Sequence, residues 1–63
     1  MIVILRTNPE QNQLENLINW LKSLHLDVHI SVGNDNTILG LIGDTSSVDI
    51  DLIRALDIVA DVK

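Results

Sequence analysis

The sequence has 63 residues and no cysteine, which excludes a disulfide staple and a thiolate metal site. Basic side chains are scarce. Arg6, Lys22, Arg54 and Lys63 stand apart from one another among nine acids, for a formal net charge of -5. A phosphate-backbone binder needs clustered Lys and Arg, so nucleic acid is excluded as a partner class. Long apolar runs are missing too: none approaches the roughly 20 residues of a membrane span. The opening Met1-Ile2-Val3-Ile4-Leu5 is too short for a signal-peptide core and lacks a basic leader. A cytoplasmic chain with no membrane contact is the expectation. The one proline, Pro9, stands at an element boundary, and no repeat, low-complexity tract or linker breaks the chain. One domain, residues 1–63, follows. Its size lies near the lower limit for a self-sufficient core, where only about 60% of the unfolded surface is buried, and the missing staple makes a partner surface more expected.

What is present is organised around the stretch from Val28 to Asp44, which reads as a hairpin. Val28, His29, Ile30, Ser31 and Val32 alternate apolar with polar, and Thr37 to Ile42 form a second β-branched and aliphatic run. Between them Gly33-Asn34-Asp35-Asn36 supplies turn residues. Because successive side chains of a strand point to opposite faces, Val28, Ile30 and Val32 share one face and Asp27, His29 and Ser31 the other.

Met1 to Leu5 is apolar at both parities, which suits a central strand covered on two faces. Thr7-Asn8-Pro9-Glu10 reads as a helix start, with Asn8 capping ahead of Pro9 or Thr7 paired with Glu10 in a capping box. Leu14, Leu17, Ile18, Leu21 and Leu24 then repeat with helical spacing, and Trp20 lies at the rim of that stripe, about 100° from its centre. Trp20 is thus a core-edge filler or a contact to a partner. After the hairpin, Gly43 to Ser47 form a loop, with Asp44 most simply a turn residue. Ser46 and Asp49 make a weak capping box before a second helix with Val48, Leu52, Ala55 and Leu56 on one face. Ile58 to Lys63 has strand character. The order strand, helix, strand, strand, helix, strand predicts an α+β, ferredoxin-like βαββαβ fold: a four-stranded antiparallel sheet with two helices on one face and the first and third strands central. Its helix-free face is then too apolar for water. Leu39 and Leu41 are expected there beside His29 and Ser31, meeting a second copy.

Chemistry-bearing residues are few. His25 and His29 are four apart, but a helix end falls between them, so they do not form a helical metal pair. Ser31 beside His29 has neither an orienting acid nor oxyanion donors specified by sequence, which argues against a hydrolase. Gly33, Gly40 and Gly43 do not form a phosphate loop, since no lysine follows at the required spacing. Gly40 within a strand marks a bulge or a close approach. Two polar side chains on an apolar sheet face suit recognition of a small amphipathic molecule.

The hairpin resembles the N-terminal ferredoxin-like regulatory domain of 3-deoxy-7-phosphoheptulonate (DAHP) synthase. The resemblance runs from Met1-Ile2-Val3-Ile4-Leu5 to the Leu56-Asp57 helix end. It is most specific in Val28-His29-Ile30-Ser31 with Gly33, and in Thr37-Ile38-Leu39-Gly40-Leu41-Ile42-Gly43-Asp44. It implies a non-catalytic module joined to an absent (β/α)8 barrel, whose divalent metal would serve condensation of phosphoenolpyruvate with erythrose 4-phosphate. The domain itself would hold no cofactor. The resemblance further implies pairing of two copies around an aromatic amino acid, tyrosine or phenylalanine, for feedback inhibition. His29 and Ser31 match the family's ligand-contacting positions, with Gly40, Gly43 and Asp44 as weaker matches, and Leu39, Leu41 and Trp20 are the expected interface. The family's last strand usually continues into the barrel linker, so a chain stopping at Lys63 is expected to be an excised domain. The competing expectation is an oligomerisation or docking module with no ligand.

Overall fold

In the computed structural model, which describes residues 1–46 and 48–63, the apolar run at the start of the chain is a central strand. The elements are β1 (Ile2–Leu5), α1 (Gln11–Ser23), β2 (Asp27–Val32), β3 (Thr37–Ile42), α2 (Ile50–Arg54) and β4 (Val59–Val62). All three strand pairings are antiparallel and the sheet order is β2-β3-β1-β4. This is the ferredoxin-like arrangement expected from the order of elements, with β1 and β3 inside.

Antiparallel partners share a face, so the register decides which half of each apolar strand meets the helices. Val3 lies opposite Leu39, Leu39 opposite Ile30, and Leu41 opposite Val28. Val3, Leu5, Leu39 and Leu41 therefore form one face, and they are buried in a cluster with Leu17 and Leu21 of α1 and Ile53 of α2. Among the described residues no buried side chain is polar. A register shift between Ile4 and Leu5 lets β4 turn both Val59 and Val62 into the same core, although three residues separate them.

Leu39 is 0% exposed and Leu41 5% exposed, under the helices. Their expected place on the helix-free face is thus corrected: Val28 and Ile30 project from the helix side of the sheet, although Ile30 stays 52% exposed there, and their cross-strand partners must project from that side too.

The helix ends also depart from expectation. Asn8 takes a positive φ of 54° and Thr7 Oγ1 donates to the Asp35 carbonyl, so neither caps α1. Glu10 is the extended residue before the helix, and its carbonyl accepts the first intrahelical bond from Leu14 at 2.9 Å. The apolar stripe holds as read: Leu17 and Leu21 are buried, with Leu14, Ile18, Trp20 and Leu24 half-buried against the core. The chain leaves α1 through His25 at φ 64°, a left-handed position usually filled by Gly. In α2 the cap is Asp49, whose carboxylate accepts from the Leu52 amide at 3.1 Å, rather than Ser46. The helix has five residues and buries Ile53 while Leu52 is exposed. The expected face of Val48, Leu52, Ala55 and Leu56 is therefore replaced by Val48 and Ile53, with Leu56 half-buried beside them. Ser47, read as the end of the preceding loop, lies outside the described residues.

Two predictions follow from the face assignment and the αL exit. Leu39→Ala should cost about 2–5 kcal/mol in urea unfolding, as core truncations do. Ile38→Ala, one residue away on the open side, should cost less than about 1 kcal/mol. His25→Gly should raise stability by up to about 1 kcal/mol, because glycine takes positive φ without a Cβ penalty.

Candidate functional site

The face of the sheet away from the helices is built by the residues of the opposite parity. In β2 these are Asp27, His29 and Ser31; their partners in β3 are Ile42, Gly40 and Ile38. Gly40 and Ile38 are in turn opposite Ile2 and Ile4 of β1. One row across the sheet therefore reads His29, Gly40, Ile2, and the next reads Ser31, Ile38, Ile4. The face is apolar in its interior: Ile2, Ile38 and Ile42 are exposed, Ile42 to 56%, and Ile4 is half-buried. These four isoleucines take the place that Leu39 and Leu41 had been expected to fill.

His29 and Ser31 are both exposed and stand on the same face, about 6.6 Å apart along β2 from the strand rise. An imidazole and a hydroxyl can both donate and accept hydrogen bonds. Gly40 makes a notch beside them. A Cβ built there would meet only His29 Cβ and the His29 carbonyl, each at 3.8 Å, and its backbone is in an ordinary strand conformation. Nothing in the fold demands glycine at this position, and its effect is to open space between His29 and Ile2.

The Gly43-Asp44 corner has a local explanation. Gly43 has φ 130°, and a Cβ there would lie 3.2 Å from Leu26 Cδ2. Asp44 Oδ1 accepts from the Ser46 amide at 3.0 Å and from Ser46 Oγ at 2.6 Å. These two bonds, the hydroxyl one first, hold the Asp44 carboxyl below its ordinary range. The turn thus accounts for both residues without a ligand.

Trp20 belongs to the helix side. It borders a groove of about 330 Å³ together with Leu17, Leu56, Asp57 and Ile58. The structure separates it from His29 and Ser31 by the thickness of the sheet. His25 terminates α1 while His29 lies within β2, as read from the sequence. Among the described residues no three histidine or carboxylate side chains converge in a metal-binding group. No described helix is long and apolar enough to cross a membrane.

Comparison with known proteins places this chain in a family. The model of the DAHP synthase ferredoxin-like domain matches residues 1–63. A phospho-2-dehydro-3-deoxyheptonate aldolase of Thermotoga maritima is 34% identical over 62 residues, covering 98% of this chain and 18% of the relative. The crystal structure of a Thermotoga maritima protein described as that aldolase, DAHP synthase, superposes with a TM-score of 0.83 at 32% identity, over 95% of this chain and 18% of that one. The chain therefore spans about one fifth of the length of these relatives. With the fold, the register and the sequence match in agreement, the chain belongs to the DAHP synthase ferredoxin-like domain family.

Proposed function

We propose that this domain is the allosteric regulatory module of a DAHP synthase, the enzyme of the first step of the shikimate pathway. It would bind an aromatic amino acid, tyrosine or phenylalanine, on the open sheet face where two copies meet. The observation that carries the reading is the placement of His29 and Ser31 side by side above a floor of isoleucines with the Gly40 notch between strands. Such a surface offers an aromatic ring apolar contact and offers its polar groups two hydrogen-bonding partners.

The described residues bring no acid, base and nucleophile together at His29 and Ser31, and the domain's proposed part in catalysis is regulatory. The catalytic barrel, with its divalent metal, would be a separate partner. The effector acts by population shift: it moves the enzyme toward the paired arrangement only by the amount that it binds that arrangement more tightly. A tenfold preference corresponds to about 1.4 kcal/mol.

Calorimetric titration of tyrosine and phenylalanine into the synthase carrying this domain tests the reading. Binding of at least one amino acid is expected, with His29→Ala and Ser31→Ala each weakening it about fivefold or more, the scale of a lost hydrogen bond. No heat from either amino acid removes the ligand and leaves an oligomerisation or docking module. A second variant probes the notch. Gly40→Val should keep the fold, since valine suits a strand and a Cβ has room there. It should nevertheless weaken tyrosine binding; unchanged affinity would take Gly40 out of the site.

A further inference from the structure

Trp20 lies on the helix side and takes no part in the function proposed for the open face. It is also the only Trp, Tyr or Phe in the chain. Its groove arises from the unequal helices. At 1.5 Å per residue α1 is about 20 Å long and α2 less than about 8 Å. The second helix therefore stops short, and residues 56–58 run on beside α1 as the other wall.

The α1 wall carries Gln13, Asn16 and Trp20, whose spacing of three and four puts them on one side of the helix. Leu17 and Ile58 are the buried part of the lining, and Trp20 and Leu56 the half-buried part. Backbone hydrogen bonds fix the opposite wall. The Leu56 carbonyl accepts from the Val59 amide at 3.1 Å, the Asp57 carbonyl from Arg6 Nε at 2.8 Å and the Ile58 carbonyl from the Arg6 amide at 2.7 Å. With each carbonyl already bonded, this wall offers a ligand the Asp57 carboxylate. Among the described residues that carboxylate makes no hydrogen bond or ion pair, and the Gln13 amide, the Asn16 amide and the Trp20 indole N–H have no partner within the chain. Asp57 is the one charged side chain among the described lining residues.

We propose that this groove binds a small organic cation, a flat apolar body bearing one ammonium group. The apolar body lies against the Trp20 indole and the side chains of Leu17, Leu56 and Ile58. The ammonium donates to the Asp57 carboxylate, with the Gln13 and Asn16 carbonyl oxygens as further acceptors. Charge selects the class: an ionised carboxylate only accepts, and no described Lys or Arg lines the groove to meet an anion. Size selects a small molecule over a protein partner. From Gln13 to Trp20 the α1 wall spans two turns, about 10 Å, and the volume of about 330 Å³ lies at the small end of ligand pockets. A stable protein partner covers roughly 800 Å² per side, with about 20–30 residues. The site is separate from the open face, because the sheet lies between them, and it does not rest on the reading of that face.

The single tryptophan reports on the groove directly. Titration of phenethylammonium chloride into the 63-residue chain is expected to change Trp20 fluorescence saturably, with half-saturation on the order of 1 mM, the scale of a small fragment. Phenethyl alcohol, the same body without the charge, should bind at least about threefold more weakly, the scale of an exposed ion pair. Asp57→Asn should weaken the amine by a similar factor and leave the alcohol unchanged. Its circular dichroism should be that of the parent chain, since the carboxylate supports no bond there. His29→Ala and Ser31→Ala should leave the amine response as it is. Absence of a saturable change overturns the proposal, as does equal affinity for amine and alcohol, or an amine affinity indifferent to Asp57→Asn. Loss of the response in His29→Ala also overturns it, by placing the amine on the open face.

Discussion

The pairing of β1 with β3 is the constraint on which the rest of the structure depends. Both strands are apolar at both parities, so hydrophobicity alone does not say which half goes under the helices. A slip of one residue would place Ile38 and Ile42 in the core and turn Leu39 and Leu41 to the open side. Hydrogen bonds at the end of the hairpin hold the register. The Gly33 amide donates to the Asn36 carbonyl at 2.9 Å, and Asn36 Nδ2 donates to the Leu5 carbonyl at 3.3 Å. Thr7 Oγ1 adds a bond to the Asp35 carbonyl at 3.0 Å. The β2–β3 turn is thereby tied to the end of β1 that feeds α1. Glycine eases position 33, because a Cβ there would lie 3.0 Å from the Asn36 carbonyl oxygen, a tighter contact than most Cβ atoms make.

Given that register, the helices cover one face and no more. The longer helix, α1, spans 13 residues and its stripe meets the sheet over Leu17 and Leu21. The shorter one, α2, spans five and buries Ile53. A helix of one or two turns has little stability of its own and persists through its cap and packing. Asp49 supplies the cap and Ile53 the packing. Among the described elements none covers the other face, where four isoleucines surround Gly40.

Much of this was legible in the sequence. The order of elements, the α1 stripe, the turn at residues 33–36 and the two polar positions of β2 follow from periodicity and turn chemistry. The assignment of β3 faces was missed, although the information was there. A turn over residues 33–36 that pairs Val32 with Thr37 also pairs Ile30 with Leu39 and Val28 with Leu41. Applying that pairing to the inward parity of β2 would have placed both leucines under the helices. The start of α1 was misread because Thr7 and Asn8 carry good capping side chains that tertiary contacts use elsewhere. The five-residue length of α2 has no comparable signal, since the apolar residues of Val48 to Leu56 spread over more than half of a helical wheel and define no narrow stripe. Gly40 could be flagged as unusual in a strand, but the space it opens depends on cross-strand neighbours that only the register reveals.

The polar positions of β2 give the open face a property that a purely apolar docking surface lacks. In the proposed pairing, contact between copies would take water from His29 and Ser31, and a buried donor or acceptor left without a partner costs about 1–3 kcal/mol. A surface carrying such groups pairs weakly by itself, because that cost offsets part of the gain from covering the isoleucines. A molecule with an aromatic ring and hydrogen-bonding groups reverses the balance: its ring fills apolar space and its polar atoms satisfy the imidazole and hydroxyl. Under the proposed function the same two residues would weaken the empty contact and strengthen the liganded one. Such a difference between two states would make association depend on a ligand, and it requires polar groups on a face that hydrophobic burial alone would have filled with isoleucine.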